Sequence, residues 1–159
     1  MGFLLFLLVS YILLSISLYF LFPRAEVAAV KGLIHGVNFV EWCKLIGRKP
    51  IHALLLLVPI VNIFIFAGMA VDMVRSFQRY SLLDATLAVI GAPFYFFFLA
   101  FSPEQKYDGP TRIKEQAYAE QLEAARASGN QRKIQKLVAN NPYHKSPLRE
   151  WVEAIVFAV

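Results

Sequence analysis

Between positions 35 and 52 the chain carries His35, Glu41, Cys43 and His52, side chains of the types that ligate transition metals. Zinc sites draw such residues from short, regular spacings, with paired cysteines or histidines a few residues apart. Here the successive separations are six, two and nine residues, which fit none of those patterns. The four residues are therefore read as parts of an interfacial segment, and no metal ligand is assigned. His144-Lys145-Ser146 sets a base beside a hydroxyl, but neighbouring residues on an extended chain point apart, and Pro147 marks the stretch as a linker. No Gly-x-Ser-x-Gly, His-Glu-x-x-His or phosphate-cradling glycine loop occurs. Cys43 is the only thiol, which excludes an internal disulfide framework.

The carboxylates nearest the apolar blocks are Asp72 and Asp84. A proton or ion pathway needs acids deep in the bilayer, where a charge costs roughly 2.5 to 3.5 kcal/mol on insertion scales. Asp72 and Asp84 instead flank a short polar turn carrying Arg75 and Arg79, available as partners, and are expected to be interfacial. Glu150 and Glu153 fall at the first turn of an apolar C-terminal segment, where carboxylates complement the positive end of a helix dipole. The run Phe94 to Phe98 is expected to supply lipid-facing or helix-packing bulk rather than a ligand cage. The segments Ile34-His35-Gly36-Val37-Asn38 and Val58-Pro59-Ile60-Val61-Asn62 align at a spacing of 24, with Val and Asn shared, against a background of shared apolar composition. A small transporter built on the Asn38/Asn62 pair is one function that such a repeat would suit.

The elements that position these residues follow from composition. Of 159 residues, 58% are hydrophobic and 17% charged, far more apolar than a soluble domain of this length. The expected fold is an all-α membrane protein with three transmembrane helices, a cytoplasmic helical segment and the start of a fourth transmembrane helix. Residues 1–102 form the three-helix membrane region. Its spans lie at about 3–22, 51–71 and 82–101, with an interfacial loop at 24–50. The first span is uncharged, ends at Phe22-Pro23-Arg24, and has no Lys or Arg before it. It is longer than a signal-peptide core, and Val27-Ala28-Ala29 is a weak cleavage site, so it reads as a retained anchor. Pro59 interrupts the second span and frees the Leu55 carbonyl, with Asn62 nearby; Pro93 lies inside the third. Residues 103–148 form a charged helical hairpin and linker. Helix formers run from Thr111 to Ala127, Ser128-Gly129-Asn130 breaks the helix, and Gln131 to Ala139 resumes it until Asn140-Asn141-Pro142. The charged entry and apolar run at 149–159 start a fourth span, shorter than the about 20 residues needed to cross, so the chain is expected to stop inside it.

Lys and Arg number five from Arg24 to Lys49, two from Arg75 to Arg79 and nine from Lys106 to Arg149. With alternating spans, the positive-inside rule puts the N-terminus outside, 24–50 and 103–149 in the cytoplasm, and 72–81 outside. The fourth helix then runs outward. The net charge of +5 reads as a topology determinant and not as a nucleic-acid footprint.

The stretches N-F-V-E-W-C-K-L-I-G-R-K-P (38–50), A-L-L-L-L-V-P-I-V-N-I-F-I-F-A-G-M-A-V-D-M-V-R-S-F (53–77), K-Y-D-G-P-T (106–111) and N-N-P-Y-H-K-S-P-L-R-E-W-V-E-A-I-V-F-A-V (140–159) resemble the N-terminal region of a long-form bacterial signal peptidase I. That resemblance implies a multi-pass protein of the bacterial inner membrane. In it, the last helix leads into an external catalytic domain that removes signal peptides from exported preproteins with a Ser-Lys dyad. The family's serine lies in a Ser-Met motif, and none of Ser10, Ser15, Ser17, Ser76, Ser81, Ser102, Ser128 or Ser146 is followed by Met. No catalytic, cofactor or metal residue is carried over, and residues 1–159 alone are expected to be inactive. The expected partners are the lipid bilayer, preprotein signal peptides through the catalytic domain, and export machinery or another membrane complex. The alternative class is a non-enzymatic membrane scaffold or accessory subunit.

Overall fold

The computed structural model describes residues 2–141, so the expected fourth segment at 149–159 and the His144-Lys145-Ser146 stretch lie outside the described residues. The described chain is all-α, with seven α-helices and three 3-10 helices. Helix α1, Gly2–Leu21, forms because its run has no charge and no breaker until Pro23. Among the described residues one helix is long and apolar enough to cross a membrane, the stretch Leu4–Ala25 that takes in most of α1, with a mean hydropathy of 2.5. Its first half is exposed from Leu4 to Val9. Its second half buries Leu14, Leu18 and Leu21, spaced so that they share one helix face. The 3-10 helix Phe22–Ala25, with Pro23 near its start, ends the element, and Glu26 closes it in the left-handed region at φ 59°.

A second 3-10 helix, Ala29–Gly32, runs back against α1. Gly32 is required there, since a Cβ would lie 2.5 Å from the Tyr19 nitrogen and 2.7 Å from the Leu18 carbonyl carbon. Helix α2, Val37–Ile46, follows and buries Trp42, Cys43 and Ile46 completely. Trp42 is the centre of the core, with the ring of Phe66 at 5.6 Å and that of Phe96 at 5.1 Å, both edge-on.

The expected second and third spans are not continuous helices. Residues Pro50–Leu57 are a 3-10 helix, Val58 to Ile60 form a turn, and α3 occupies Val61–Ser76. Pro59 is the physical reason. It has no N–H to donate and holds Val58 extended, at φ −86° and ψ 116°. The Val58 N–H donates to the Leu55 carbonyl (3.2 Å), the group expected to be freed by this proline. The chain then reverses through Ile60 at φ 71°, and the Val61 N–H donates to the Pro59 carbonyl across a γ-turn (2.8 Å). The 3-10 helix Pro50–Leu57 packs against α3 as a result. The third span is likewise α4, Leu82–Ile90, and α5, Ala92–Phe101, broken at Gly91 with Pro93 in the first turn of α5. Helix α5 packs along α1, with the Phe20 ring 5.2 Å from Phe101.

The 24-residue repeat is geometric as well as compositional. Gly36 (φ 81°, ψ −44°) and Ile60 (φ 71°, ψ −52°) share one unusual backbone conformation at the helix N-cap. The Asn38 N–H donates to the Ile34 carbonyl and the Asn62 N–H to the Val58 carbonyl, each at 3.0 Å.

The charged hairpin forms as its composition requires, with α6 at Thr111–Ala127 and α7 at Gln131–Ala139. Asn130 caps α7 by accepting from the Lys133 N–H (3.1 Å), and the Tyr118 hydroxyl ties the two helices by donating to the Leu137 carbonyl (2.8 Å).

Because the atoms facing Gly32 are backbone, Gly32→Ala forces α1 away from the segment that follows it. We expect a loss at the upper end of about 1–3 kcal/mol, the range for overpacking, read as a lower midpoint of thermal unfolding in detergent. An unchanged midpoint contradicts this packing.

Candidate functional site

The metal-type residues do not converge. The His35 Nδ1 pairs with the Tyr11 hydroxyl (2.7 Å), and His52 lies near the Lys49 carbonyl. Glu41 sits between Lys44 (2.8 Å) and Lys31 (3.3 Å). The Lys44 hydrogen bond, aided by Lys31, holds the Glu41 carboxyl below the usual carboxylate range despite its partial desolvation. The Cys43 Sγ lies 3.9 Å from the Met69 Sδ, and burial pushes this thiol up to about 11, so it is chemically inert.

What the fold does bring together is charge. The Asp72 Oδ2 accepts from the Arg48 Nε (2.9 Å) and lies 2.8 Å from the Arg48 Nη2, and the Arg112 Nε adds a third contact at 3.2 Å. The Arg48 and Asp72 side chains are 7% and 4% exposed, so the pair is desolvated. Gly68 makes room for it, because a Cβ there would lie 2.9 Å from the Arg48 Nη2. Ser76, one turn after Asp72, extends the contact to the backbone. Its carbonyl accepts from the Asp108 N–H (2.8 Å), and its hydroxyl accepts from the Thr111 N–H (3.3 Å). Arg75 reaches Glu115 at 3.5 Å. The Tyr107 hydroxyl donates to the Leu45 carbonyl (2.6 Å), and burial raises its pKa to about 12.

Three segments therefore meet at one point: the end of α2, the C-terminal half of α3, and the start of α6. The expected side assignment fails here. Asp72, which opens the segment 72–81 expected outside, is in hydrogen-bond contact with Arg48 and Arg112, both expected in the cytoplasm. The partners also differ from expectation. Asp84 does face Arg79, at 3.7 Å, but Asp72 pairs with neither Arg75 nor Arg79 in these contacts.

A second polar knot lies at the end of α5. Arg24 donates to the Ser102 carbonyl (2.7 Å) and to the Gln105 carbonyl, and Arg79 donates to the Gln105 Oε1 (3.0 Å). The Tyr95 hydroxyl donates to Asp84 (2.6 Å), and the Arg79 guanidinium lies 5.5 Å over the Phe98 ring.

Residues 30–110 match the model of a family of unknown function, DUF5684. The chain belongs to that family. The matched stretch begins in the second 3-10 helix, Ala29–Gly32, and ends at Pro110, the cap of α6. The DUF5684 match thus takes in α2 to α5 and leaves out α1 and the charged hairpin. No curated protein and no solved structure matches the chain.

Arg48 and Arg112 were not legible as site residues, because they reach Asp72 across 24 and 40 positions, nor was Gly68, whose role is only to leave room for Arg48. The available signal was a charge pair, Arg48 and Asp72, bracketing a block that has no charge between Pro50 and Val71.

The arrangement around Asp72 is built of ion pairs and hydrogen bonds. Its chemistry is that of a desolvated latch, which fixes the charged hairpin to the helical body. Removing one partner of such a pair leaves a buried charge uncompensated and costs about 3–5 kcal/mol. We therefore expect Asp72→Ala to lower unfolding stability by that order and to speed limited proteolysis between 103 and 110. Arg112→Ala, at a site 18% exposed, has the smaller effect. Equal stability of Asp72→Ala and the parent chain contradicts a latch.

Proposed function

We propose that the chain is the membrane-anchoring N-terminal portion of a signal peptidase I, with α1 crossing the bacterial inner membrane and the catalytic domain lying beyond residue 159. The observation that supports an anchor is α1, within the one described stretch long and apolar enough to cross a membrane, and the latch at Asp72 joins the DUF5684 unit behind it to the charged hairpin α6–α7. An anchor that must present a catalytic domain at a defined depth is served by such a rigid joint. The resemblance of residues 38–77 and 140–159 to the long-form family supplies the cargo. All Lys and Arg follow α1, and this asymmetry favours an N-terminus outside and a body at the cytoplasmic face.

A second proposal, a non-enzymatic scaffold or accessory subunit, is favoured by one observation: the DUF5684 match ends at residue 110, short of the charged hairpin.

The test is processing. The complete gene, expressed in a bacterium depleted of its own signal peptidase, is expected to convert an accumulated preprotein to its mature form. Replacing by Ala the serine of a Ser-Met motif beyond residue 159 is expected to abolish that conversion. Failure of the intact, membrane-inserted product to process contradicts the peptidase assignment and leaves the scaffold.

A further inference from the structure

The two apolar excursions of the DUF5684 unit, Pro50–Ser76 and Leu82–Phe101, each begin and end at the same polar layer. The first opens at Arg48 and returns to Asp72, in contact with it at 2.8 Å. The second opens between Arg79 and Asp84 and returns to Ser102 and Gln105, which Arg24 and Arg79 hold.

Neither arm of the second excursion is long enough to cross. Helices α4 and α5 have nine and ten residues, about 14 and 15 Å at 1.5 Å per residue. The 3-10 arm of the first has eight residues, about 16 Å at 2.0 Å per residue. Each reaches roughly half of a hydrocarbon core about 30 Å thick.

The far ends are nevertheless apolar and uncovered. Leu57 is 78% and Ile60 72% exposed at one turn, and Ile90 is 81% and Phe94 70% exposed at the other. Beside the second turn an apolar groove of about 300 Å³ is lined by Leu87, Ile90, Gly91, Phe94, Tyr95 and Phe98, with no polar surface. At the opposite end, Arg48 and Arg112 sit on Asp72, Arg75 on Glu115, and Arg24 and Arg79 on Ser102 and Gln105.

We propose that these two excursions are re-entrant: they dip into a single leaflet and leave by the face they entered, so that α1 alone among the described helices crosses the bilayer. The turns contact acyl chains near the midplane, and the basic layer meets anionic headgroups of the same leaflet. Charge complementarity fixes the second half of this arrangement, and the exposed apolar turns fix the first. Broken helices are tolerated at such depth where the backbone is satisfied within the protein. At both turns it makes internal bonds, from the Val61 N–H to the Pro59 carbonyl (2.8 Å) and from the Gly91 N–H to the Leu87 carbonyl (2.9 Å). The proposal rests on the membrane placement given above, and adds to it the path of the chain.

Single cysteines at Gln78, Glu104, Ile60 and Ile90, in a Cys43→Ser background of the full chain, test this path with a membrane-impermeant maleimide. Gln78 and Glu104 are exposed at the polar layer, and Ile60 and Ile90 at the turns. The expected result is labelling of Gln78→Cys and Glu104→Cys in inside-out vesicles with loss of labelling in spheroplasts, and no labelling of Ile60→Cys or Ile90→Cys in either. Labelling of Gln78→Cys from outside, or from neither side, while Glu104→Cys labels from inside overturns the re-entrant path and leaves the membrane placement standing. Labelling of both from outside alone keeps the path and reverses the orientation. Reaction of Ile60→Cys or Ile90→Cys with the aqueous reagent overturns the membrane placement itself, and the path with it.

Discussion

Asp72 accepts two guanidinium groups, one from 24 residues before it and one from 40 residues after it, inside a region almost closed to water. A carboxylate so placed is stable only while both its charge and its lone pairs are matched, and the fold around it is arranged accordingly. Gly68 leaves room for Arg48, Ser76 carries the contact on to the backbone of 108 and 111, and Arg75 reaches into the same helix that supplies Arg112. Buried ion pairs are not strong sources of net stability, because desolvation offsets most of the Coulomb gain. Their value is geometric, since one arrangement satisfies the charges and displaced ones do not. Here that arrangement decides where the chain from 50 to 71 must return.

The return itself is made by local backbone chemistry. Ile60 takes a positive φ that a β-branched residue adopts at a cost of order 1–3 kcal/mol. Gly36 takes the same conformation without that cost. The two turns sit 24 residues apart and are followed by equivalent hydrogen bonds to Asn38 and Asn62. Trp42, packed edge-on against Phe66 and Phe96, then joins the helices that follow these turns to α5. A short repeated turn therefore has more structural weight than its two shared residues suggest.

Much of this was legible in the residues. The uncharged run before Pro23, the helix formers from Thr111, and the Ser128-Gly129-Asn130 break all act locally, and the elements they imply are present at the expected positions. Pro59 and Pro93 were legible as interruptions. What followed each of them was not, since a proline stops a helix without stating whether the chain continues or turns back. That choice depends on the φ of Ile60 and on a charge pair closed over a long loop, neither of which has a local signal. The assumption that apolar blocks alternate across a membrane then put 72–81 on the wrong side of Arg48.

The central claim is that the polar ends of the described helices share one layer, joined at Asp72. A distance between spin labels at Gln78 and Asp108 in the bilayer-embedded protein measures this most directly, because the Asp108 N–H binds the Ser76 carbonyl at 2.8 Å. The account predicts a separation well below the roughly 30 Å hydrocarbon thickness. A separation equal to that thickness or larger, as spans alternating across the membrane require, contradicts it.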